Sequence, residues 1–192
     1  MCHLASSYLL QGLNVLYISL EMAEERIAER IDANLLDVTM EDLHDMPKQL
    51  YEGKISKLRE KTQGQLVIKE YPTASAHSGH FKSLMNELAL KKSFRPDVIF
   101  IDYLNICASS RFKGGNISSY FYVKAIAEEL RGLAVEFNVP IFSATQTTRT
   151  GYVSTDIGLE DTSESFGLPA TADFMFALIS NEELEALGQM KV

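Results

Sequence analysis

Short apolar runs alternate with longer amphipathic segments along the 192-residue chain. The apolar runs are rich in β-branched and aromatic residues and show no regular polar alternation, which is typical of strands buried on both faces of a parallel sheet. The segments between them carry apolar residues at helical spacing. Strands are predicted at 14–20, 65–70, 97–102, 140–145 and 173–179. Helices are predicted at 1–12, 22–36, just after Thr39, 47–62, 77–93, 117–137 and 181–188.

This alternation predicts a single α/β domain over residues 1–192, with a mainly parallel sheet and helices on both faces. The length is typical of one domain, and no repeat, low-complexity tract or linker divides the chain. Two polar segments without periodicity, 109–116 and 147–163, are predicted to be loops. Right-handed crossovers bring the carboxyl ends of parallel strands to one edge of the sheet, where ligands bind in this fold class.

Polar residues follow several of the predicted strands at that edge, namely Glu21, Asp102, Gln146 and the pair Glu164-Ser165. A carboxylate such as Asp102 at the rim of a buried sheet can hold Mg²⁺ on a nucleotide through water, or it can cap the next loop. Glu21 could polarise a water that attacks a γ-phosphate, or it could favour the N-terminus of the following helix. Gln146 could sense a phosphate or be a hydrogen-bonded structural amide. The local patterns leave these alternatives open.

The composition limits the classes of function. The chain is 46% hydrophobic and 23% charged, which is enough apolar material for a core, and its net charge is −8. A sequence pI of about 5.0 excludes nucleic-acid binding through an overall basic surface, but it leaves a local basic patch or an oligomer that concentrates a few cations. Cys2 and Cys107 cannot build a disulfide framework, and the sequence has neither a ~18-residue apolar span nor the features of a signal peptide. We therefore expect a cytoplasmic protein without membrane contact.

Four segments occur in an order that narrows the choice of function. They are Ser-Leu-Glu-Met at 19–22, Ile-Phe-Ile-Asp-Tyr-Leu at 99–104, Ser-Ala-Thr-Gln-Thr-Thr-Arg at 143–149 and Thr-Ser-Glu-Ser at 162–165. Together they resemble the motor domain of the hexameric replicative DNA helicases of the DnaB family, and within it the T-even phage branch. The resemblance covers essentially the whole chain, and its most specific piece is Asp-Tyr-Leu after the apolar strand.

The resemblance implies a RecA-like P-loop NTPase fold and an ATP-dependent helicase of DNA replication, with ATP and Mg²⁺ as cofactors. By position, Glu21 matches the family's catalytic glutamate, Asp102 the Walker B aspartate that binds Mg²⁺, and Gln146 the glutamine that couples the γ-phosphate to a DNA loop. The resemblance also implies a hexameric homo-oligomeric ring on single-stranded DNA and contact with replisome proteins such as primase. For a phage protein, it implies the cytoplasm of a bacterial host.

The resemblance further implies two loops that face the central channel of the ring and bind DNA, at 109–117 and 147–158. Candidate phosphate contacts in these loops are Arg111, Lys113, Gly114, Gly115 and Arg149. The glycines would contribute backbone N–H groups, and the cations would contribute charge. Without the resemblance, these cations would be interpreted as ordinary solvated loop residues.

The chain departs from the family pattern because it has no P-loop, the Gly-x-x-x-x-Gly-Lys-Ser/Thr motif that binds phosphates. Its one Gly-Lys pair, Gly53-Lys54, lacks both the first glycine and the following Ser or Thr. No arginine beyond the last predicted strand could act as an arginine finger. We therefore expect a motor-domain fragment that does not hydrolyse ATP by itself. Its sheet should be incomplete, with an exposed apolar edge, and the strand from Val15 should not be flanked on both sides.

Two other functions remain open at this point. A RecA-type strand-exchange ATPase shares the fold and the Walker B strand, but it forms an open filament rather than a closed ring. A P-loop-less paralogue that binds DNA or partner proteins without hydrolysis would explain the missing motif directly. The presence of Glu21, Asp102 and Gln146 argues against the paralogue, because a module that does not hydrolyse nucleotide has little use for them.

Overall fold

The computed structural model describes residues 1–112, 117–147 and 167–192. Within these residues the strands form a parallel sheet in the order β2-β1-β3-β4. The strands are β1 (Val15–Ser19), β2 (Leu66–Glu70), β3 (Val98–Asp102) and β4 (Ile141–Ser143). Ser19, the last residue of β1, lies opposite Glu70 in β2 and Asp102 in β3, so the strands end at a common edge.

Helices cover both faces of this sheet. They are α1 (Cys2–Leu10), α2 (Glu24–Leu36), α3 (Met40–Asp45), α4 (Lys48–Lys61), α5 (Ser78–Lys92), α6 (Ser119–Phe137), α7 (Gly167–Thr171) and α8 (Glu182–Ala186). Helices α1 and α2 pack on the face that carries Val15, Tyr17 and Phe100, whereas α5 and α6 pack on the face that carries Leu16 and Ile18. The predicted α/β class with helices on both faces is confirmed. None of the helices in the described residues is long and apolar enough to span a bilayer.

The largely apolar sequence of β1, whose one aliphatic hydroxyl is that of its last residue, Ser19, explains its central position. Each of its five residues is buried, and successive side chains enter the two helix layers alternately. Burial of each large aliphatic side chain contributes about 1.5–3 kcal/mol, so a strand that is apolar on both faces is most stable between two other strands. The predicted strands up to 145, and the predicted helices, are found with ends that differ by at most two residues.

The expectation that β1 would not be flanked on both sides is wrong. The strand pairs along its whole length with β2 on one side and β3 on the other. The pattern predicted β2 as a strand but carried no information on its place in the sheet, and β2 occupies the position beside β1. Among the described residues, the strands with one open edge are β2 and β4.

The prediction of a strand at 173–179 is also wrong. Only Ile179 makes a β-type contact, an isolated antiparallel bridge to Lys191. Phe174 and Leu178 are 80% and 58% exposed. An apolar segment with β-branched and aromatic residues forms a strand only where a neighbouring strand accepts its backbone hydrogen bonds, and no strand in the described part of the chain pairs with this one.

Candidate functional site

A tight turn after β1 presents Glu21 at the carboxyl edge of the sheet. The buried Ser19 hydroxyl donates to the carbonyl of Met22 at 2.6 Å and accepts from the amide of Met22 at 2.9 Å. The amide of Leu20 donates to the carbonyl of Asp102 at 2.8 Å, which ties the turn to the end of β3. The Glu21 side chain is exposed beyond these anchored residues, so its carboxylate is accessible to a ligand at the edge.

Asp102, the last residue of β3, is oriented by a tyrosine from the neighbouring strand. The hydroxyl of Tyr17 in β1 donates to Oδ2 of Asp102 at 2.8 Å, and the Cys2 thiol donates to the same hydroxyl at 3.8 Å. Tyr17 is 1% exposed, and burial, together with its neighbours Cys2 and Asp102, raises the pKa of its hydroxyl. The tyrosine therefore stays protonated and remains a donor. The peptide bond that follows Asp102 is cis.

Gln146 lies three residues beyond β4, and its side chain is exposed. Its amide Nε2 donates to the hydroxyl of Tyr103 at 3.3 Å. Because Tyr103 directly follows Asp102, this contact connects the segment after β4 to the end of β3. The hydroxyl of Ser143 reinforces the connection by donating to the carbonyl of Ile101 at 2.8 Å.

Asp102 ends β3, and Glu21 and Gln146 follow the adjacent strands β1 and β4, so the three residues lie along the carboxyl edge of the sheet. In the described residues, no three His, Cys, Asp or Glu side chains come together as a protein metal site. The carboxylates of Asp102 and Glu21 lie along this edge, and water and a ligand would have to complete the coordination of a metal ion there. That arrangement suits Mg²⁺, which keeps several of its waters, better than Zn²⁺, which takes three or four protein ligands.

Residues 1–187 match the model of the DnaB-like helicase C-terminal domain. The chain belongs to this family. It is 51% identical over 195 residues to the DnaB-like replicative helicase of Enterobacteria phage T4, an alignment that covers 100% of this chain and 41% of the phage protein. It is 36% identical over 138 residues to a probable plasmid replicative DNA helicase of Chlamydia trachomatis, which covers 69% of this chain and 28% of the relative. The chain thus spans less than half the length of these relatives.

Two solved structures superimpose on this chain over most of its length. A DnaB-like replicative helicase, studied with its primase interactions, superimposes with a TM-score of 0.73 at 19% identity and covers 95% of this chain and 44% of its own. A second solved structure, that of an ATPase domain, superimposes with a TM-score of 0.74 at 18% identity and covers 95% of this chain and 64% of its own. At these identities the likeness concerns the fold, and it confirms the predicted RecA-like architecture.

Most of the predicted DNA contacts of this DnaB-like domain lie outside the described residues, and so does the pair Glu164-Ser165 of the fourth motif. The contacts concerned are Lys113, Gly114, Gly115 and Arg149. Arg111 is described, and its guanidinium forms an ion pair with Glu128 on α6. Lys124 reaches the same carboxylate at 3.9 Å. The Arg111 side chain is half-exposed, and its charge is paired within the protein.

Three residues that hold parts of this DnaB-like domain together were not among the predicted site residues. Tyr17 orients Asp102, Tyr103 contacts Gln146, and Glu129 of α6 accepts hydrogen bonds from 109–111. A signal for Tyr17 existed, because a hydroxyl in the middle of a buried apolar strand needs a partner. Tyr103 stands beside Asp102 in the most specific motif. Glu129 had no local signal, since its partners are distant in sequence.

Proposed function

We propose that this chain is the motor portion of an ATP-dependent replicative DNA helicase that translocates on single-stranded DNA and unwinds the duplex. One observation carries the proposal: in a DnaB-like domain, adjacent parallel strands bring Glu21, Asp102 and Gln146 to the same edge. The T4 relative, 51% identical over the whole chain, is a replicative helicase. In open α/β sheets this edge is where nucleotides bind.

Asp102 would hold Mg²⁺ through water. Oδ2 of its half-buried carboxylate accepts from Tyr17, and the group lies at the sheet edge. Two buried polar atoms just beyond the strands, Oγ1 of Thr145 and Oδ1 of Asn105, have no hydrogen-bond partner among the described residues, and a third, Oγ1 of Thr62, lies elsewhere. Buried polar atoms are normally paired, so these two oxygens leave hydrogen-bonding capacity beside the edge, and the partly exposed Asp102 carboxylate is the group that a hydrated ion can reach. When bound, Mg²⁺ neutralises charge on the transferred phosphate.

Glu21 would orient and deprotonate the attacking water, and Gln146 would sense the phosphate. The exposed Glu21 carboxylate stands on a turn fixed by Ser19, so it can face a ligand without rearrangement of the core. Gln146 contacts Tyr103 beside Asp102 and precedes the second predicted DNA loop. A change at the phosphate can therefore reach that loop through one side chain.

The phosphate cradle is a separate requirement of this proposal. The Gly53-Lys54 pair lies inside α4, where it forms part of a regular helix rather than a glycine-rich loop before one. Hydrolysis by a protein that contains this chain would thus need a cradle formed by other residues.

The complete assembly would be a hexameric ring in the cytoplasm of a bacterial host.

The candidate DNA ligands on this chain are Arg111, Lys113, Gly114, Gly115 and Arg149. Their chemistry suits a phosphate backbone, which is bound by cations and by backbone amides. The solved DnaB-like helicase was studied together with its primase interactions. We propose that the complete protein that contains this chain also contacts a primase.

The test is ATP hydrolysis by the complete gene product that contains this chain, with and without single-stranded DNA. DNA should stimulate the wild type, and Glu21→Gln should lower the stimulated rate more than about tenfold, or ~1.4 kcal/mol. The matched control is Glu25→Gln, an exposed glutamate in the first turn of α2. A smaller loss in Glu21→Gln contradicts the assigned role of Glu21.

A wild-type protein without DNA-stimulated hydrolysis contradicts the motor proposal and favours the non-hydrolysing paralogue. Electron microscopy of the same preparation on DNA tests the assembly. Closed rings are expected for a helicase. Open filaments would favour the RecA-type recombinase, although the family match argues against it.

A further inference from the structure

Glu129 is the most extensively hydrogen-bonded carboxylate in the described part of the chain. Its Oε1 accepts from the Ser109 hydroxyl at 2.6 Å and from the Arg111 amide at 3.3 Å. Its Oε2 accepts from the Ser110 hydroxyl at 2.7 Å and from the Ser78 hydroxyl at 2.9 Å. The amide of Ser110 lies within 3.0 Å of both oxygens.

These donors form a preorganised anion site. The consecutive amides of Ser110 and Arg111 point at one carboxylate, an arrangement that in other proteins binds phosphate. Burial acts to raise the pKa of Glu129, but the hydrogen bonds from Ser109, Ser110 and Ser78 outweigh it and lower the pKa to about 2. The group is thus ionised at neutral pH.

The hydrogen bonds connect three parts of the fold. Glu129 lies in α6, Ser78 is the first residue of α5, and 109–111 form the beginning of the first predicted DNA loop. Ser109 is also held by its amide, which donates to the hydroxyl of Tyr122 at 3.1 Å. The backbone that carries Arg111 is therefore anchored to α6.

The neighbouring carboxylate acts on the same arginine in a different way. Glu128 pairs with the guanidinium of Arg111, whereas Glu129 accepts from its backbone amide. The ion pair with Glu128 is half-exposed, so water and other anions can compete for it. A DNA phosphate could thus displace Glu128, but it could not readily displace Glu129.

We propose that Glu129 is a positioning residue for single-stranded DNA: it fixes 109–111 on α6 and so presents the Arg111 guanidinium to a phosphate. Glu128 holds that guanidinium until DNA replaces it. The inference rests on the proposed function, because it takes Arg111 to be a DNA contact. It adds a role for two residues of α6 that belong to none of the sequence motifs.

The test uses the complete gene product and the concentration of single-stranded DNA that gives half-maximal ATP hydrolysis. Glu129→Gln replaces one acceptor oxygen with a donor, so some of the hydroxyl and amide donors around it lose their acceptor. The half-maximal DNA concentration should rise about tenfold, because the segment must then be ordered on binding. The rate at saturating DNA should stay within about twofold, since Glu129 touches no reacting group. Glu129→Asp keeps the charge and should recover part of the loss.

Three further measurements make the result specific. Glu136→Gln removes a different carboxylate of α6, which is ion-paired with Lys82, and should leave the half-maximal DNA concentration unchanged. Hydrogen exchange at the amides of Ser110 and Arg111 should accelerate in Glu129→Gln. Glu128→Gln should act in the opposite direction and lower the half-maximal DNA concentration about two- to threefold, as expected for release of an exposed ion pair.

The inference is overturned if Glu129→Gln has the wild-type half-maximal DNA concentration. It is also overturned if the rate at saturating DNA falls in parallel, or if Glu128→Gln and Glu129→Gln weaken DNA dependence alike. These outcomes differ from failure of the proposed function, in which the wild type itself shows no DNA-stimulated hydrolysis.

Discussion

Two carboxylates of this domain are held in contrasting ways. Asp102 at the sheet edge accepts one hydrogen bond from a described side chain, that of Tyr17. Glu129 on α6 accepts hydrogen bonds from three hydroxyls and two amides. Both groups are partly buried, and both lie beside segments that the family resemblance associates with function.

The contrast separates a carboxylate that can bind a ligand from one that has become part of the scaffold. Free lone pairs on Asp102 can be used by the waters of a hydrated cation, and the bond from Tyr17 limits the rotation of the group without saturating it. The lone pairs of Glu129 are occupied by the protein. Its replacement should therefore affect the position of a segment, whereas replacement of Asp102 should affect chemistry.

The largest effect should come from Asp102→Asn in the complete gene product. DNA-stimulated ATP hydrolysis should fall about 10²- to 10³-fold, because loss of metal-assisted charge stabilisation costs several kcal/mol. The control is Asp97→Asn, directly before the opposite end of the same strand, where the carboxylate accepts from the Asn14 amide at 2.8 Å. Comparable losses in both variants would show that Asp102 has no special role.

A smaller effect is expected for Tyr17→Phe, which removes the bond to Asp102 and retains the ring. The free energy of unfolding should fall by about 1–1.5 kcal/mol. The Mg²⁺ concentration for half-maximal hydrolysis, and the dissociation constant for Mn²⁺ measured by electron paramagnetic resonance, should rise about threefold. Tyr8→Phe, whose ring packs on Phe100 in the same core, is the control. If the metal affinity of Tyr17→Phe is unchanged, the Tyr17 hydroxyl does not affect metal binding and the residue contributes through packing alone.

The smallest effect should be a pH dependence of stability that belongs to Glu129. Its pKa is lowered from 4.5 to about 2 in the folded protein, so its contribution is complete above pH 4.5 and is lost as the pH falls towards 2. At pH 6 the free energy of unfolding of the wild type should exceed that of Glu129→Gln by about 0.5–1 kcal/mol, a value discounted for the solvent exposure of the group. Denaturant unfolding at pH 6 and pH 3 measures the difference, which should shrink at pH 3. A constant difference would contradict the assigned ionisation.

Local chemistry made much of the fold predictable. The apolar runs at β1 and β3 identify strands that are buried on both sides, because each offers no polar face to water. The short β4 and the more exposed β2 were found by similar but weaker patterns. The segment at 173–179 has an equally apolar composition, yet it is not a strand, because a ladder needs a partner and not only a propensity.

The candidate site was predictable where its residues stand at strand ends. Glu21, Asp102 and Gln146 follow apolar runs, and parallel topology brings such positions to one edge. Their supporting contacts were not predictable, because they join residues far apart in the chain. Tyr17 and Asp102 are separated by 85 positions, and Ser78 and Glu129 by 51.

The sequence by itself determined the type and approximate limits of most elements, the family and the identities of the edge residues. These properties depend on periodicity and on short motifs, both of which act over a few neighbouring residues. The tertiary structure alone decided that β1 lies between β2 and β3, that Tyr17 orients Asp102, and that Glu129 anchors the backbone of Arg111. Strand order and side-chain partners are set by contacts between distant segments, which become favourable only when the whole core packs together.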